Sequence, residues 1–459
     1  MKAVMIGGER SGSGKTSISV GITSILSSQN QVQTFKVGMD YIDPSYLSAA
    51  SGRPCRNLDG FVMDRSQIRM IVDYATVGAD VLLVEGVRGL YEGADALKDT
   101  GSSAEIAKIL DIPIVLVINA RSITRSAAAL IKGFMLFDQK VRICGVILNN
   151  VFGRSHREKT ITAIEHHCGI PVLGAIPHEE KMELEMRHLG LVPFREGREG
   201  SKFRETFTAI GNTVAKYVDI DKLLDCAGEY TPVPVENSIL NSKREPDVKI
   251  GIAMDEAFNF YYADLFDVLH GCGAQCSIFS PIHDRLPDAD GYIIGGGYPE
   301  LFGHELEKND FMRTSIRESA ENGRPFYAEC GGLIYLTDRL VLSAGWQGRE
   351  RESSFEMCSV FPGVTRMPAQ RVVSYVEGRA CDRSPLGEGS FRGHEFHYSN
   401  VQLTAKTDFC YHLSRGVGIN GVKDGALKYS ALASYTHLSP VPSYSMFAQF
   451  VDACRTSAR

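Results

Sequence analysis

The first twenty-six residues constrain the fold more than any other part of the chain. An apolar run, Lys2-Ala3-Val4-Met5-Ile6, leads into Gly8-Glu9-Arg10-Ser11-Gly12-Ser13-Gly14-Lys15-Thr16, and a helical stretch follows from Thr16 to Leu26. A strand, a glycine-rich turn and a helix N-terminus in that order point successive backbone N–H groups at anionic oxygens. Lys15 is spaced to reach the terminal phosphates of ATP and the Thr16 hydroxyl to hold magnesium. Gly12, Ser13, Gly14 and Ser17 complete the expected cradle. The strict spacing asks for glycine five places before Gly14, where Glu9 stands; Gly8 lies six before.

The apolar runs that follow agree with such a start. Asp80-Val81-Leu82-Leu83-Val84, Pro113 to Ile118 and Cys144 to Leu148 are unbroken Val/Ile/Leu-rich segments separated by helical stretches. That pattern marks parallel strands covered on both faces. Ligands of such sheets gather at the carboxyl ends of the strands. The loops there hold Glu85, Asn119 and Asn149, so Asn149 joins the expected nucleotide site. Magnesium takes hard oxygen ligands, and Thr16, Asp59 and Glu85 are the candidates. Lys36 is a further candidate clamp on phosphate or carboxylate. Asp43 precedes a proline, a common turn opening, whereas no local turn demands Asp40.

At 459 residues the chain exceeds one ordinary core. Pro- and charge-rich segments from Thr231 to Asn237 and Ser242 to Pro246 read as linker. Expected domains are therefore 1–229 and 248–459, joined by 230–247. New apolar strands at Val248 to Met254, Gly291 to Ile294 and Pro325 to Ala328 make the second domain α/β as well. A net charge of −6 with scattered basic residues argues against nucleic acid. No apolar run approaches the roughly 20 residues that span a bilayer. No leader pattern precedes the first strand, so a cytoplasmic location is expected. Eleven thinly spread cysteines read as reduced thiols rather than a disulfide framework.

The second half carries a different chemistry. Cys330 lies in Tyr327-Ala328-Glu329-Cys330-Gly331-Gly332, after a buried strand and before a helix beginning near Leu333. A cysteine on such a turn, among residues small enough for substrate to approach, is a nucleophile candidate. His437 is the candidate base for its proton. Backbone N–H groups of Gly331, Gly296 and Gly297 would form an oxyanion hole. Related Cys-His-Glu glutaminases carry the acid two places after histidine, but position 439 is Ser, so the expected pair has no third member from there. Gly393 to Ser399 reads as a strand with Glu395 and His397 on one face and His394 and Phe396 on the other. An ATP site and a thiol nucleophile in one chain suggest amide formation, one end making ammonia and the other activating a carboxylate to receive it.

The long glycine spacing resembles dethiobiotin synthetase, and Arg56-Asn57-Leu58-Asp59-Gly60 resembles its Asn-x-Asp metal-ligand stretch. Lys36-Val37-Gly38-Met39-Asp40-Tyr41-Ile42-Asp43, Arg187-His188-Leu189-Gly190-Leu191, Gly295 to Glu300, Ala328 to Gly332 and Ser434 to His437 together resemble the cobyrinate a,c-diamide synthase family over nearly the whole chain. The resemblance implies a dethiobiotin-synthetase-like P-loop domain followed by a class I glutamine amidotransferase-like domain. It implies ATP, Mg2+, L-glutamine as nitrogen source, a tetrapyrrole substrate bound near Lys36, Asp40, Asp43 and Glu92, and leaves room for a homodimer. Glu85-Gly86-Val87-Arg88-Gly89-Leu90-Tyr91-Glu92, Ile118 to Ser126 and Asp255 to Tyr262 look most like the branch acting on nickel sirohydrochlorin. The corrinoid branch more often has Asp at positions 92 and 119. Two departures are Met39 for the usual proline and Leu47 for the usual histidine.

Overall fold

The structure is a computed structural model describing residues 1–179, 198–234, 238–242, 244–404 and 406–457, with backbone alone over 198–206. The Arg187–Leu191 stretch lies outside them, as do residues 235–237 and 243 of the expected linker. The described residues fall into two compact units, one within 1–235 and one within 236–459.

The first unit alternates strand and helix as its apolar runs require. It begins β1 (Lys2–Gly8), α1 (Lys15–Leu26), β2 (Val32–Val37), α2 (Ile42–Ser51), β3 (Arg56–Leu58), α3 (Arg65–Ala75) and β4 (Val81–Glu85). It continues α4 (Ser103–Leu110), β5 (Ile114–Asn119), α5 (Arg125–Phe137), β6 (Ile143–Val151), α6 (Gly153–Cys168) and β7 (Val172–Pro177). α7 (Arg198–Tyr217), α8 (Ile220–Cys226) and β8 (Gly228–Glu229) close it. The strand order β3-β2-β4-β1-β5-β6-β7 is parallel, with β8 antiparallel on the start of β1. Val4, Ile6, Leu83, Val115 and Val117 are buried with Ile18 and Ile22 of α1 and Ile210 and Val214 of α7. Gly21 lets α7 lie close on α1, because a Cβ there would stand 2.4 Å from the Val214 side chain. The register Lys36↔Glu85 and Lys36↔Asn57 brings the ends of β2, β4 and β3 to one level.

The second unit opens with β9 (Val248–Ala253), β10 (Phe258–Phe260), α9 (Asp264–Gly271), β11 (Ala274–Phe279), β12 (Gly291–Ile294) and β13 (Gly296–Gly297). α10 (Gly303–Lys308), α11 (Asp310–Glu321), β14 (Phe326–Glu329) and α12 (Gly331–Leu336) follow. Then come β15 (Thr337–Leu342), β16 (Ser353–Glu356), β17 (Phe361–Met367), β18 (Val372–Ala380), β19 (Gly389–His397), β20 (Asn400–Leu403) and β21 (Asp408–Arg415). β22 (Lys423–Lys428), β23 (Ala431–Ser434), β24 (His437–Leu438) and α13 (Tyr444–Ser457) end it. A parallel core, β11-β9-β12-β14-β23, continues into antiparallel strands β22-β21-β18-β19-β24. β16-β15-β17-β20 form a separate four-stranded sheet. The unit is α/β, as expected, and its antiparallel half extends the parallel core. Its strands β18 and β21 mix buried with exposed positions, a weaker sequence signal than continuous buried runs.

The reduced-thiol expectation fails at one place. Cys381 and Cys410 form a disulfide, their Cα atoms 5.1 Å apart. The antiparallel pairing of β18 with β21, Ala380 opposite Tyr411, carries the two cysteines to neighbouring positions. A separation of 29 residues hides that pairing in the sequence.

Candidate active sites

The glycine loop after β1 is built around atoms that leave no space for side chains. A Cβ on Gly8 would lie 2.6 Å from Ser13 Oγ, and one on Gly14 would lie 2.2 Å from Asn149 Nδ2. Gly14 has φ +96° and starts α1, a conformation glycine adopts without steric cost. Asn149, at the end of β6, donates to the Ser13 carbonyl at 3.0 Å and so ties the loop to the sheet. Gly12 is exposed at φ +74°, and Ser17 is buried in the first turn of α1. The Ser13 hydroxyl is buried without a hydrogen-bond partner. Lys15 Nζ donates to the carbonyls of Arg88 at 2.5 Å and Arg10 at 3.3 Å. Burial and the neighbouring Lys36 ammonium pull its pKa down. A buried hydroxyl without a partner and a lysine short of negative charge are what a phosphate would satisfy.

Beside this loop, Thr16 Oγ1 donates to Glu85 Oε1 at 2.7 Å and Asp43 Oδ2 at 3.3 Å. Lys36 Nζ stands 2.6 Å from Asp43 Oδ2 and 2.8 Å from Glu85 Oε1. Burial would lower the Lys36 pKa, but these two carboxylates outweigh it and raise it. Asp43 is held low because Lys36 overcomes the effect of burial, while burial pushes Glu85 up. One oxygen of each carboxylate, Asp43 Oδ1 and Glu85 Oε2, is buried and unpartnered. Those oxygens and the Thr16 hydroxyl are a donor set that fits magnesium.

Other expected residues take different places. Asp59 Oδ1 accepts the amides of Phe61 at 2.7 Å and Val62 at 3.4 Å, which is turn capping, and it is Asp43 that contacts Thr16. Asp40 does serve a turn, contrary to the reading that none demands it. Its Oδ1 accepts the amides of Ile42 and Asp43 ahead of α2, and burial followed by the charge of Asp43 raises its pKa. Glu92 is exposed and accepts the Gly89 amide at 3.2 Å. Leu47 is fully buried in α2.

In the second unit, β14 ends at the nucleophile candidate. Cys330 has φ +46° and ψ −95°, a strained turn for a residue with a side chain, and α12 starts immediately after it. Its Sγ lies 3.6 Å from the Phe396 carbonyl of β19, and it is hydrogen-bonded to His437. His437 is 1% exposed. The pairing His394↔His437 stacks their rings at 4.9 Å. Burial alone would lower the His437 pKa, but its bonds to Cys330 and Glu329 outweigh burial and push it up to about 10. His394, buried and facing His437, is held well below the usual histidine value.

The three expected oxyanion glycines meet here. A Cβ on Gly331 would stand 2.9 Å from the Gly297 nitrogen, and one on Gly296 would stand 2.6 Å from His437 Cε1. A Cβ on Gly297 would strike the Ala257 carbonyl at 2.0 Å. β10 pairs with β13 and fixes this loop, and the Gly295 amide donates to Tyr261 Oη at 2.7 Å. Glu395 accepts the Val417 and Gly418 amides at 2.6 and 2.8 Å. One residue that the sequence analysis passed over stands against the histidine: Glu329 Oε2 lies 3.2 Å from His437 Nδ1.

A nucleotide loop on a parallel sheet and a cysteine–histidine pair beside a glycine loop define a glutamine-hydrolysing carbon–nitrogen ligase. Residues 249–442 match the CobB/CobQ-like glutamine amidotransferase domain, and residues 38–185 match an AAA domain. A cobyrinate a,c-diamide synthase of Methanosarcina acetivorans is 48% identical over 471 residues, covering 98% of this chain and 95% of its own. The protein of that name from Methanosarcina barkeri is 45% identical over 98% of this chain and 96% of its own. A third, from Methanothermobacter thermautotrophicus, is 43% identical over 97% of this chain and 98% of its own. The chain belongs to the cobyrinate a,c-diamide synthase family. No helix among the described residues is long and apolar enough to cross a membrane.

Proposed function

We propose that the chain amidates the a and c acetate side chains of nickel sirohydrochlorin, using ATP and glutamine. The observation that carries the two-site reaction is the cluster Thr16, Lys36, Asp43 and Glu85 beside the glycine loop, on a chain that also sets His437 against Cys330. The substrate branch rests on Glu92, Asn119 and the segments around them. The names of the relatives favour a second reading, cobyrinate, with the same chemistry.

A carboxylate carbon bears no leaving group that ammonia can displace. Passage of the γ-phosphoryl group of ATP to an acetate oxygen makes one, with ADP released. Lys15 and the N–H groups of Gly12 to Thr16 draw charge from the transferring oxygens. Magnesium, held by Thr16, Asp43 and Glu85, supplies further positive charge when bound. Asp40, Asp43 and Glu92 lie on the segments proposed to meet the macrocycle, where carboxylates orient ammonia or bind ring nitrogens and amides.

At the other site the Cys330 thiol gives its proton to His437 and the sulfur attacks the glutamine side-chain carbonyl. The amides at Gly331 and Gly297 stabilise the oxyanion. The C–N bond breaks as the imidazolium returns its proton to the departing nitrogen, releasing ammonia. Water then cleaves the thioester to glutamate. The ammonia displaces phosphate from the activated acetate, giving the amide.

The test is an anaerobic incubation of the purified protein with ATP, glutamine and each macrocycle, read by product mass. Nickel sirohydrochlorin should lose one mass unit per amide formed, twice. Turnover of cobyrinate alone would select the second reading, and turnover of neither would refute both. Cys330→Ser should abolish glutamine-driven product while leaving product formed at high ammonium.

A further inference from the structure

The fourth residue of β14 does more than end a strand. Glu329 is 7% exposed, and both of its oxygens are committed. Oε1 accepts the Leu438 amide at 2.9 Å and the Tyr327 hydroxyl, and Oε2 meets His437 Nδ1 at 3.2 Å. The strand alternation puts Tyr327 and Glu329 on one face, and the register Glu329↔Ser434 carries that face to the segment leading into β24. We propose that Glu329, from the position immediately before the nucleophile, is the positioning carboxylate of this glutaminase site and fixes the tautomer of His437. The proposal rests on the glutaminase reading of Cys330 and His437.

The physical argument runs through the two ring nitrogens. An acceptor-only carboxylate at Nδ1 requires a proton on Nδ1. That leaves Nε2 as the atom able to take the Cys330 proton. Once both nitrogens carry protons, the same carboxylate stabilises the imidazolium. The Leu438 amide and Tyr327 hydroxyl hold the carboxylate from the other side, so it cannot swing off the ring. Position 439, where related enzymes carry their acid, is Ser, and it is buried. The groups facing His437 are Glu329 of β14, Cys330 after it and His394 of β19, whose Nδ1 in turn meets Tyr262 Oη at 3.4 Å.

Glu329→Gln is the informative variant. It keeps an oxygen for Leu438 and Tyr327 but offers an N–H to Nδ1, which selects the tautomer protonated on Nε2. Glutaminase kcat should fall about a hundred- to ten-thousand-fold, as it does when the orienting acid of a triad becomes an amide. KM for glutamine, ammonium-driven amidation and the melting temperature should stay near those of the parent. The alkaline limb of kcat/KM against pH, where the imidazolium formed by proton passage from Cys330 is lost and can no longer protonate the departing nitrogen, should move down toward neutrality, because the imidazolium loses its counter-charge. Tyr327→Phe, which removes a brace but leaves the carboxylate on the ring, should leave that limb in place. Glutaminase activity within a few-fold of the parent, or an unmoved pH limb, would overturn the proposal. So would loss of glutaminase accompanied by an equal loss of ammonium-driven activity, since that is a folding defect. If Cys330→Ser still hydrolysed glutamine, the underlying reading would fail instead; if only Glu329→Gln stayed active, the inference alone would.

Discussion

Glu300 closes the Gly295–Glu300 segment, and burial pushes its pKa up to about 7 from the ordinary 4.5. A carboxylate raised in the folded state costs stability when it ionises. That cost is absent below the unfolded value, grows as pH rises, and is complete above pH 7. Glu300→Gln should therefore be as stable as the parent near pH 4 and more stable at pH 8.5, by on the order of 3 kcal/mol. Melting curves at the two pH values check this; a gap independent of pH would refute it. Single residues also mark where the sequence stopped being readable. Cys330, His437 and the three glycines are legible because their types and neighbours announce the chemistry. Glu329 is adjacent to the nucleophile, yet its role depends on a strand pairing 105 places away, Glu329↔Ser434. In one dimension Asp59 reads as a metal ligand and Asp43 as a turn or substrate residue. In three, it is Asp43 whose carboxylate the Thr16 hydroxyl meets, while Asp59 Oδ1 accepts the amides of Phe61 and Val62.

Elements show the same substitution with opposite signs. Gly332 lies in α12 against β12, and a Cβ there would stand 2.1 Å from the Ile294 carbonyl, which is backbone and cannot turn aside. Gly133 lies in α5 with nothing within 4 Å and no positive φ. Helix propensity favours alanine over glycine by about 0.5–1 kcal/mol at both. Overpacking costs roughly 1–3 kcal/mol, so it wins at Gly332 and is absent at Gly133. Gly133→Ala should raise the denaturation midpoint and Gly332→Ala lower it, with glutaminase lost in the second alone. Equal shifts would contradict the close approach of α12 to β12. The parallel strands were legible as apolar runs because both faces are buried. The antiparallel strands β18 and β21, and the bridge between Cys381 and Cys410, were not, because mixed burial leaves a fainter pattern.

Over the whole molecule, two sites on one chain predict that nitrogen freed at Cys330 is used by the same chain. Lys15→Ala should stop acetate activation, and Cys330→Ser should stop glutamine hydrolysis. Mixed in equal amounts with glutamine and no added ammonium, the two variants should yield no more amide than each alone. Recovery of product in the mixture would mean that ammonia travels through solvent. The layout of β14 has a further bearing on how such an enzyme can be lost. Brace, anchor and nucleophile are Tyr327, Glu329 and Cys330, packed into four successive residues against β23. A slip of one place reverses which side chains point where. A single-codon deletion upstream would thus disarm all three together, while point changes must dismantle them one by one.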